Sequence, residues 1–171
     1  GKTSIALTAL GNVQKEGGTG VVLDVEQAFD PNYAKALGVK IDELGFSQPS
    51  VAEEVLTMIL KLIETGTVDI IVLDSVAAMT PKAELEADLE KASMATLARV
   101  MSKAMKRIAQ KANEFNCTVI FINQIRDNVG DMWGPKTSTP GGKALKFTAS
   151  QRIEVKKVRL VTEGDNTIGT E

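Results

Sequence analysis

The chain has 171 residues, 43% of them hydrophobic and 25% charged, which is the balance of one folded domain and excludes a disordered or collagen-like polypeptide. It has no histidine, which excludes histidine bases and histidine-ligated metals, and its net charge of −2 indicates no overall basic surface. Cys117 is the single cysteine, which excludes an internal disulfide. Cysteine usage and the shortness of the apolar runs predict a cytoplasmic protein without a membrane role.

The first residues, GKTSIALTAL, match the second half of the phosphate-binding pattern G-x-x-x-x-G-K-[ST], so we expect its first half to precede residue 1. Apolar positions at helical spacing follow and predict a helix that ends at Gly17-Gly18. In such a loop the lysine reaches phosphate oxygens and the threonine hydroxyl reaches Mg²⁺. The same tripeptide also occurs by chance at helix starts, so it does not by itself decide for nucleotide binding.

Two short apolar runs, GVVLDVE at 20–26 and VDIIVLDS at 68–75, predict buried strands of a parallel sheet. Asp74 ends the second run, at the sheet edge where such folds bind ligands. There its carboxylate can hold Mg²⁺ through water and converge with Lys2 and Thr3 on one triphosphate. A helix cap or a turn residue is the alternative interpretation of Asp74.

Glu26 ends the first of these strands. Hydrolysis of a γ-phosphate requires a group that orients and deprotonates water, and a strand-end carboxylate is the natural candidate in a chain without histidine. Asp24 lies two residues earlier, on the same face of the strand as Glu26, so one of the two acids can be structural. The alternative for Glu26 is a solvated acid at a strand end.

Helices alternate with the strands. We predict a short helix after the turn at residues 30–31, a helix opened by a capping box of Ser50 and Glu53, and a long helix with an apolar face from 97 to 112. The run TVIFINQ at 118–124 predicts a third strand. This alternation predicts an α/β fold with a mostly parallel sheet flanked by helices.

Residues 126–143, RDNVGDMWGPKTSTPGGK, show no periodicity, and a loop of this length in a compact domain is typically functional or disordered. Gln124, directly before it, can sense a γ-phosphate and pass the signal to the loop, or can be an ordinary polar strand-end residue. Met132 and Trp133, among basic side chains, suit stacking against nucleic-acid bases. Packing of the Trp on its own domain is the alternative.

The segment after this loop, residues 152–161, alternates polar and apolar side chains for part of its length. The alternation predicts an exposed edge strand or an antiparallel hairpin near the C-terminus. The sequence contains no internal repeat, and we interpret residues 1–171 as one domain.

The order and spacing of these motifs resemble those of the bacterial RecA recombinases. The phrases that carry the resemblance are DVEQAFDPNYAKALGV, VDIIVLDSVAAMTPKAELE, FINQIRDNVGDMWG and TPGGKALKFTAS, which together span nearly the whole chain. The resemblance implies a RecA-like P-loop ATPase core, truncated at both ends. It further implies a protein that forms a helical homo-oligomeric filament on single-stranded DNA with ATP and Mg²⁺. Such a protein pairs that strand with duplex DNA in recombination, repair and the SOS response.

The resemblance also implies roles for matching residues. Gly1, Lys2, Thr3 and Ser4 would bind the nucleotide, Thr3 and Asp74 would hold Mg²⁺, and Asp30 and Tyr33 would bind adenine. Glu26, Lys2 and Gln124 would be catalytic, with Gln124 also sensing the nucleotide. Residues implied to lie at the DNA are Met94, Arg99, Arg126, Met132, Trp133, Lys136, Gly141, Gly142, Lys143 and Arg152. Lys146 and Phe147 would lie at the interface between subunits.

Some residues depart from the family pattern. Gln27 stands where histidine is usual, and Trp133 stands where phenylalanine is usual. The first DNA loop, residues 86–93, is acidic, which shifts the expected DNA contact toward the second loop at 125–142. Two alternatives share the fold: a hexameric helicase-type motor, and a DNA-binding filament regulator with little hydrolysis. The phrases around Gln124 argue against the motor, and Glu26 argues against the regulator.

Overall fold

The computed structural model describes residues 1–86, 94–127, 137–156, 158–163 and 166–170. Its central strands are β1 (Gly20–Asp24), β2 (Gly45–Ser47), β3 (Ile70–Asp74) and β4 (Thr118–Phe121). They form a four-stranded sheet in the order β2-β1-β3-β4, and every pairing within it is parallel. The predicted α/β fold with a parallel sheet is confirmed.

The helices alternate with these strands along the chain. They are α1 (Lys2–Lys15), α2 (Pro31–Ala36), α3 (Ala52–Glu64), α4 (Lys82–Leu85), α5 (Met94–Glu114) and α6 (Ala144–Thr148), with short 3₁₀ helices at Ile41–Glu43 and Val76–Ala78. No helix within the described ranges has the length and apolarity needed to cross a membrane.

Helices cover both faces of the sheet, which explains why the strands are continuous apolar runs. Val22, Ile70 and Val72 belong to a buried cluster with Leu7 and Leu10 of α1. The alternate strand positions belong to a second cluster with α3 and α5, through side chains that include Val21, Leu23, Ile71, Leu73, Ile59 and Met101. Successive residues of a strand point to opposite faces, so each strand contributes to both clusters.

The apolar face predicted for the long helix is confirmed in α5, where Leu97, Met101, Met105 and Ile108 are buried. Cys117, between α5 and β4, is also buried. Burial, together with the nearby carboxylate of Asp69, raises the pKa of its thiol to about 11. The thiol therefore stays protonated at neutral pH and acts as a small apolar core group.

The predicted capping box is wrong. Helix α3 begins at Ala52, and Val51 occupies the N-cap position without a side-chain cap. Val51 instead forms a parallel bridge with Thr80, and the carboxylate of Glu53 accepts the backbone N–H of Lys82 at 2.9 Å. Pairing with a distant segment therefore determines where this helix starts.

The strand predicted at residues 152–161 is also wrong for most of its length. Residues 151–156 and 158–159 have no regular secondary structure. A hairpin near the C-terminus does form, from β7 (Leu160–Glu163) and β8 (Asn166–Thr170). The long loop is closed at its base by two further strands, β5 (Arg126–Asp127) and β6 (Thr137–Ser138), so it is not wholly irregular.

Candidate active site

The predicted phosphate-binding and acidic residues lie at the carboxyl edge of the sheet. Thr3 lies in the first turn of α1, Asp74 ends β3, and Glu26 and Gln124 follow β1 and β4. Because the strands are parallel, these ends reach the same edge. The structure thus brings together four residues that are far apart in the chain.

Thr3 and Asp74 are in direct contact. The hydroxyl of Thr3 donates to Oδ2 of Asp74 at 2.6 Å. Burial raises the pKa of Asp74 above its ordinary value of 3.8, the carboxylates of Glu26 and Asp24 raise it further, and the Thr3 hydrogen bond and the charge of Lys2 act in the opposite direction. A carboxylate in this environment favours a nearby cation.

The Thr3 hydroxyl and the Asp74 carboxylate are hard oxygen donors of the kind that Mg²⁺ takes. Within the described ranges, no group of three or more acidic or cysteine side chains is arranged to hold a metal by itself. Mg²⁺ at this site would therefore need further oxygens from water and phosphate, which is its usual mode of binding beside a nucleotide. The residues fit a magnesium–nucleotide site on these grounds.

The side chain of Glu26 is exposed but held by neighbours. Its Oε1 accepts from the hydroxyl of Ser75 and from Nε2 of Gln124, the latter at 3.2 Å. The backbone N–H groups of Val25 and Glu26 both donate to the carbonyl of Asp74, at 2.7 and 3.1 Å. The end of β1 is thereby fixed to the end of β3.

Asp24 has a structural role, which resolves the choice that the sequence left open. It is only 3% exposed and accepts the N–H groups of Ala28 and Phe29 at 3.2 and 3.1 Å. The side-chain amide of Gln48 donates to it as well, at 2.9 Å. These bonds hold the turn that carries Glu26, whereas Glu26 itself faces the open edge.

Tyr33 and Asp30 lie at the start of α2. The hydroxyls of Tyr33 and Ser4 are 2.6 Å apart, which links α2 to the phosphate-binding end of α1. The Tyr33 side chain remains 46% exposed, so its ring is open to a stacking partner. Asp30 is the N-cap of α2 and accepts the N–H groups of Asn32 and Tyr33 at 2.8 and 3.1 Å.

Gln124 is connected to the far end of the long loop. Its backbone N–H donates to Oδ1 of Asn123 at 2.8 Å, and Nδ2 of Asn123 donates to the carbonyl of Pro140 at 3.0 Å. The adjacent Gly141 and Gly142 have φ of +82° and +72°. Asn123 therefore forms a physical link between the candidate sensor and the loop.

Asn123 and Ser75 were both missed by sequence reasoning. Each stands directly beside a residue that was chosen, Gln124 and Asp74 respectively. Polar residues next to strand-end carboxylates or amides are the signal by which they could have been found.

The structure describes some of the residues expected at DNA and not others. Arg99, Lys143 and Arg152 are exposed, whereas Gly141 is buried and Gly142 half-buried. Met94 begins α5, and Arg126 lies in β5. Met132, Trp133, Lys136 and residues 87–93 lie outside the described residues. Both residues expected at a subunit interface are on the surface of α6, Lys146 exposed and Phe147 78% exposed.

Comparison with known proteins identifies the family of the chain. A family model described as the RecA N-terminal domain matches residues 1–171. Protein RecA of Fusobacterium nucleatum is 49% identical over 171 residues, which are 100% of this chain and 45% of that protein. Protein RecA of Lactococcus lactis is 51% identical over 164 residues, 96% of this chain and 42% of that protein. Protein RecA of Acinetobacter baumannii is 47% identical over 171 residues, which are 100% of this chain and 49% of that protein.

The chain thus spans about half the length of the curated relatives that it matches. The matches nevertheless extend over essentially all of the chain itself, and the family model covers the strands, the helices and the acidic edge described above. The chain belongs to the RecA family.

Proposed function

We propose that this chain is the ATPase core of a DNA recombinase. The full-length protein assembles on single-stranded DNA as a helical filament with ATP and Mg²⁺, pairs that strand with homologous duplex DNA, and hydrolyses ATP to release the product. Its role is in DNA recombination and repair. The observation that carries this proposal is the convergence of Thr3, Asp74, Glu26 and Gln124 at one sheet edge.

The phosphates bind at the N-terminus of α1. Free backbone N–H groups and the helix dipole favour an anion there, and Gly1, Lys2 and Ser4 stand at the same end. Thr3 and Asp74 would hold Mg²⁺, whose charge offsets that of the phosphates when it is bound. The raised pKa of Asp74 supports this role, because a bound cation would offset the cost of burying its charge and relieve the repulsion from Glu26 and Asp24.

Glu26 is the candidate catalytic carboxylate. Its side chain lies at the open edge beside Asp74, held by hydrogen bonds on Oε1. From this position it would orient the attacking water and take up its proton. On the same edge, Tyr33 would stack on adenine and Asp30 would accept from its exocyclic amine, a role in addition to the cap that Asp30 provides to α2.

ATP acts mainly as a switch in this proposal. Gln124 would exchange its contact with Glu26 for one with the γ-phosphate, and Asn123 would pass the displacement to Pro140 and the loop. The DNA-facing residues of that loop would be Arg126, Met132, Trp133, Lys136, Gly141, Gly142 and Lys143. Met94, Arg99 and Arg152 would lie near the same strand, and Lys146 and Phe147 would contact the neighbouring subunit.

The acidic composition is compatible with DNA binding. The net charge is −2, but DNA on the filament axis would meet loops and not the average surface of the molecule. Local cations in the second loop and at Arg99 would supply the phosphate contacts.

The test is ATP hydrolysis by the full-length protein, with and without single-stranded DNA, for the unmutated protein and for Glu26→Gln. We expect strong stimulation by the strand, and a loss of about 10²–10⁴-fold in kcat with nucleotide binding retained in the variant. Glu64→Gln is a matched control, because it makes the same change to an exposed acid at the end of α3.

Three outcomes would contradict the proposal in different ways. Hydrolysis that is indifferent to DNA would mean that the long loop has another partner. Unchanged turnover in Glu26→Gln would remove Glu26 from catalysis and favour a filament regulator. Closed hexameric rings, seen by electron microscopy in place of filaments, would favour a helicase-type motor.

A further inference from the structure

We propose that Ser75 is a positioning residue for ATP hydrolysis, whose hydroxyl keeps the Glu26 carboxylate oriented when Gln124 leaves it. This inference rests on the proposed function of the site. It assigns a role to a residue that neither holds the phosphates nor contacts the reacting atoms.

The two donors to Glu26 share one oxygen. Within the described part of the chain, the side-chain hydrogen bonds of Glu26, from Ser75 and from Gln124, both fall on Oε1. A carboxylate has a second oxygen with its own lone pairs, so Oε2 can still accept a hydrogen bond or a proton. With Oε1 held by these donors, the carboxylate would keep one orientation, in which Oε2 would take up the proton of the attacking water.

Ser75 is anchored in the core. It is 0% exposed, and its carbonyl accepts the N–H of Ala78 at 3.2 Å. The next residue, Val76, is also fully buried, and its N–H donates to the carbonyl of Ile122 on the β4 side at 2.9 Å. Because these bonds hold the backbone and the side chain of Ser75 is buried, its hydroxyl is a donor in a fixed position.

Gln124 is held differently. Its side chain is half-buried, and its backbone is bonded through Asn123 to Pro140 at the end of the long loop. Any movement of that loop or any new acceptor at the edge would act on Gln124 first. It is therefore the donor that can be exchanged, whereas Ser75 cannot be.

Glu26 needs a fixed donor because its own side chain is exposed. An exposed glutamate samples several rotamers, and catalysis by a carboxylate loses efficiency when its geometry is not maintained. If Gln124 were the sole anchor, the event that senses ATP would also release the catalytic group. Because the buried hydroxyl of Ser75 also holds Glu26, Gln124 can sense ATP without releasing the catalytic carboxylate.

The experiment compares the full-length protein with Ser75→Ala, Glu26→Gln and the double variant, measuring kcat and KM for ATP with single-stranded DNA present. We expect Ser75→Ala to lower kcat by about tenfold to a hundredfold and to leave KM unchanged. In the Glu26→Gln background, Ser75→Ala should cause no further loss, because it acts only through that carboxylate.

Two companion variants separate positioning from a purely structural role. Ser75→Cys keeps a weak donor of similar size and should give an intermediate kcat. Ser47→Ala removes a half-buried hydroxyl at the end of β2 and should leave kcat unchanged. Thermal unfolding of each variant shows whether a change in kcat accompanies a change in stability.

The outcomes distinguish this inference from the proposed function. An unchanged kcat in Ser75→Ala, with activity lost in Glu26→Gln, would overturn the role of Ser75 and leave the ATPase proposal standing. Independent, multiplicative losses in the double variant would overturn it as well, since Ser75 would then act elsewhere. Absence of hydrolysis by the unmutated full-length protein would refute the proposed function itself, and the role of Ser75 with it.

Discussion

Asp74 is the residue with the clearest electrostatic signature at the sheet edge. Burial is the main cause of its raised pKa, and the carboxylates of Glu26 and Asp24 add to it. The Thr3 hydrogen bond and the charge of Lys2 oppose this shift without cancelling it. The ionised form of Asp74 therefore costs folding free energy when no cation is present.

This cost predicts a stabilising substitution. Because the pKa of Asp74 is raised in the folded state, the folded protein holds the proton more tightly, and stability is lost as the pH rises from 3.8 through the folded pKa. Asp74→Asn should therefore unfold at a higher temperature than the unmutated protein at pH 7, with a difference that shrinks toward pH 4. Differential scanning calorimetry across this range, without Mg²⁺, measures it.

Adding Mg²⁺ and nucleotide supplies the control for this prediction. Binding should stabilise the unmutated protein and should stabilise Asp74→Asn much less, because the variant lacks the carboxylate charge. A variant less stable than the unmutated protein at pH 7 would show that the Thr3 hydrogen bond and the charge of Lys2 outweigh the burial of Asp74 and its repulsion by Glu26 and Asp24.

At the scale of elements, the end of the long loop packs closely against α5. A Cβ atom on Gly142 would lie 2.8 Å from the Cβ of Ala98 in α5, and one on Gly141 would lie 3.0 Å from Cγ1 of Val76. Both glycines have positive φ, which other residues adopt at a cost. The pair therefore allows the loop to return to the sheet edge between α5 and the 3₁₀ helix at Val76–Ala78.

Gly142→Ala should destabilise the protein through two effects. The left-handed backbone costs ~1–2 kcal/mol for a residue with a Cβ, and overpacking against Ala98 adds ~1–3 kcal/mol. Gly17→Ala is a matched control, because Gly17 has φ of +85° but nothing within 4 Å of an added Cβ. Urea unfolding of both variants isolates the packing contribution.

Equal free energies of unfolding in the two variants would mean that the loop does not pack on α5 as described. A double variant, Gly142→Ala with Ala98→Gly, provides a second check, since it removes the Cβ that the added methyl group would meet. Its loss of stability should be smaller than the sum of the single losses.

At the scale of the whole molecule, the proposed function depends on an assembly in which this chain would contribute one core. The second loop is the part proposed to contact DNA, and Trp133 is its one large aromatic side chain. Trp133→Ala in the full-length protein should weaken binding to single-stranded DNA by ~1–3 kcal/mol if the ring stacks on a base. Fluorescence anisotropy with a labelled oligonucleotide measures the change.

The salt dependence distinguishes stacking from charge. Trp133→Ala should leave the slope of log K against log salt unchanged, because no phosphate contact is removed. Lys143→Ala should weaken binding and reduce that slope. If Trp133→Ala leaves the affinity for single-stranded DNA unchanged, the Trp133 ring packs within its own domain and does not stack on a base.

The sequence by itself determined the fold class and most of the candidate site. Continuous apolar runs at 20–24 and 70–74 require cover on both faces, and the alternation with helices requires parallel strands. Parallel strands bring their carboxyl ends to one edge, and the phosphate-binding motif adds Lys2 and Thr3, so these two residues and Asp74 were predicted to converge there. Apolar periodicity and chain direction are local properties, so they can be read directly from the sequence.

Only the tertiary structure decided which polar groups meet. Asp24 and Glu26 have the same parity, and what separates their roles is that Asp24 is buried and bonded to Gln48 while Glu26 is exposed. The carboxylate of Glu53 accepts the backbone N–H of Lys82 and does not form the capping box predicted with Ser50. The hydroxyl of Ser75 donates to the carboxylate of Glu26, 49 positions away in the chain. Such partners are set by the packing of distant segments, for which local spacing carries no signal.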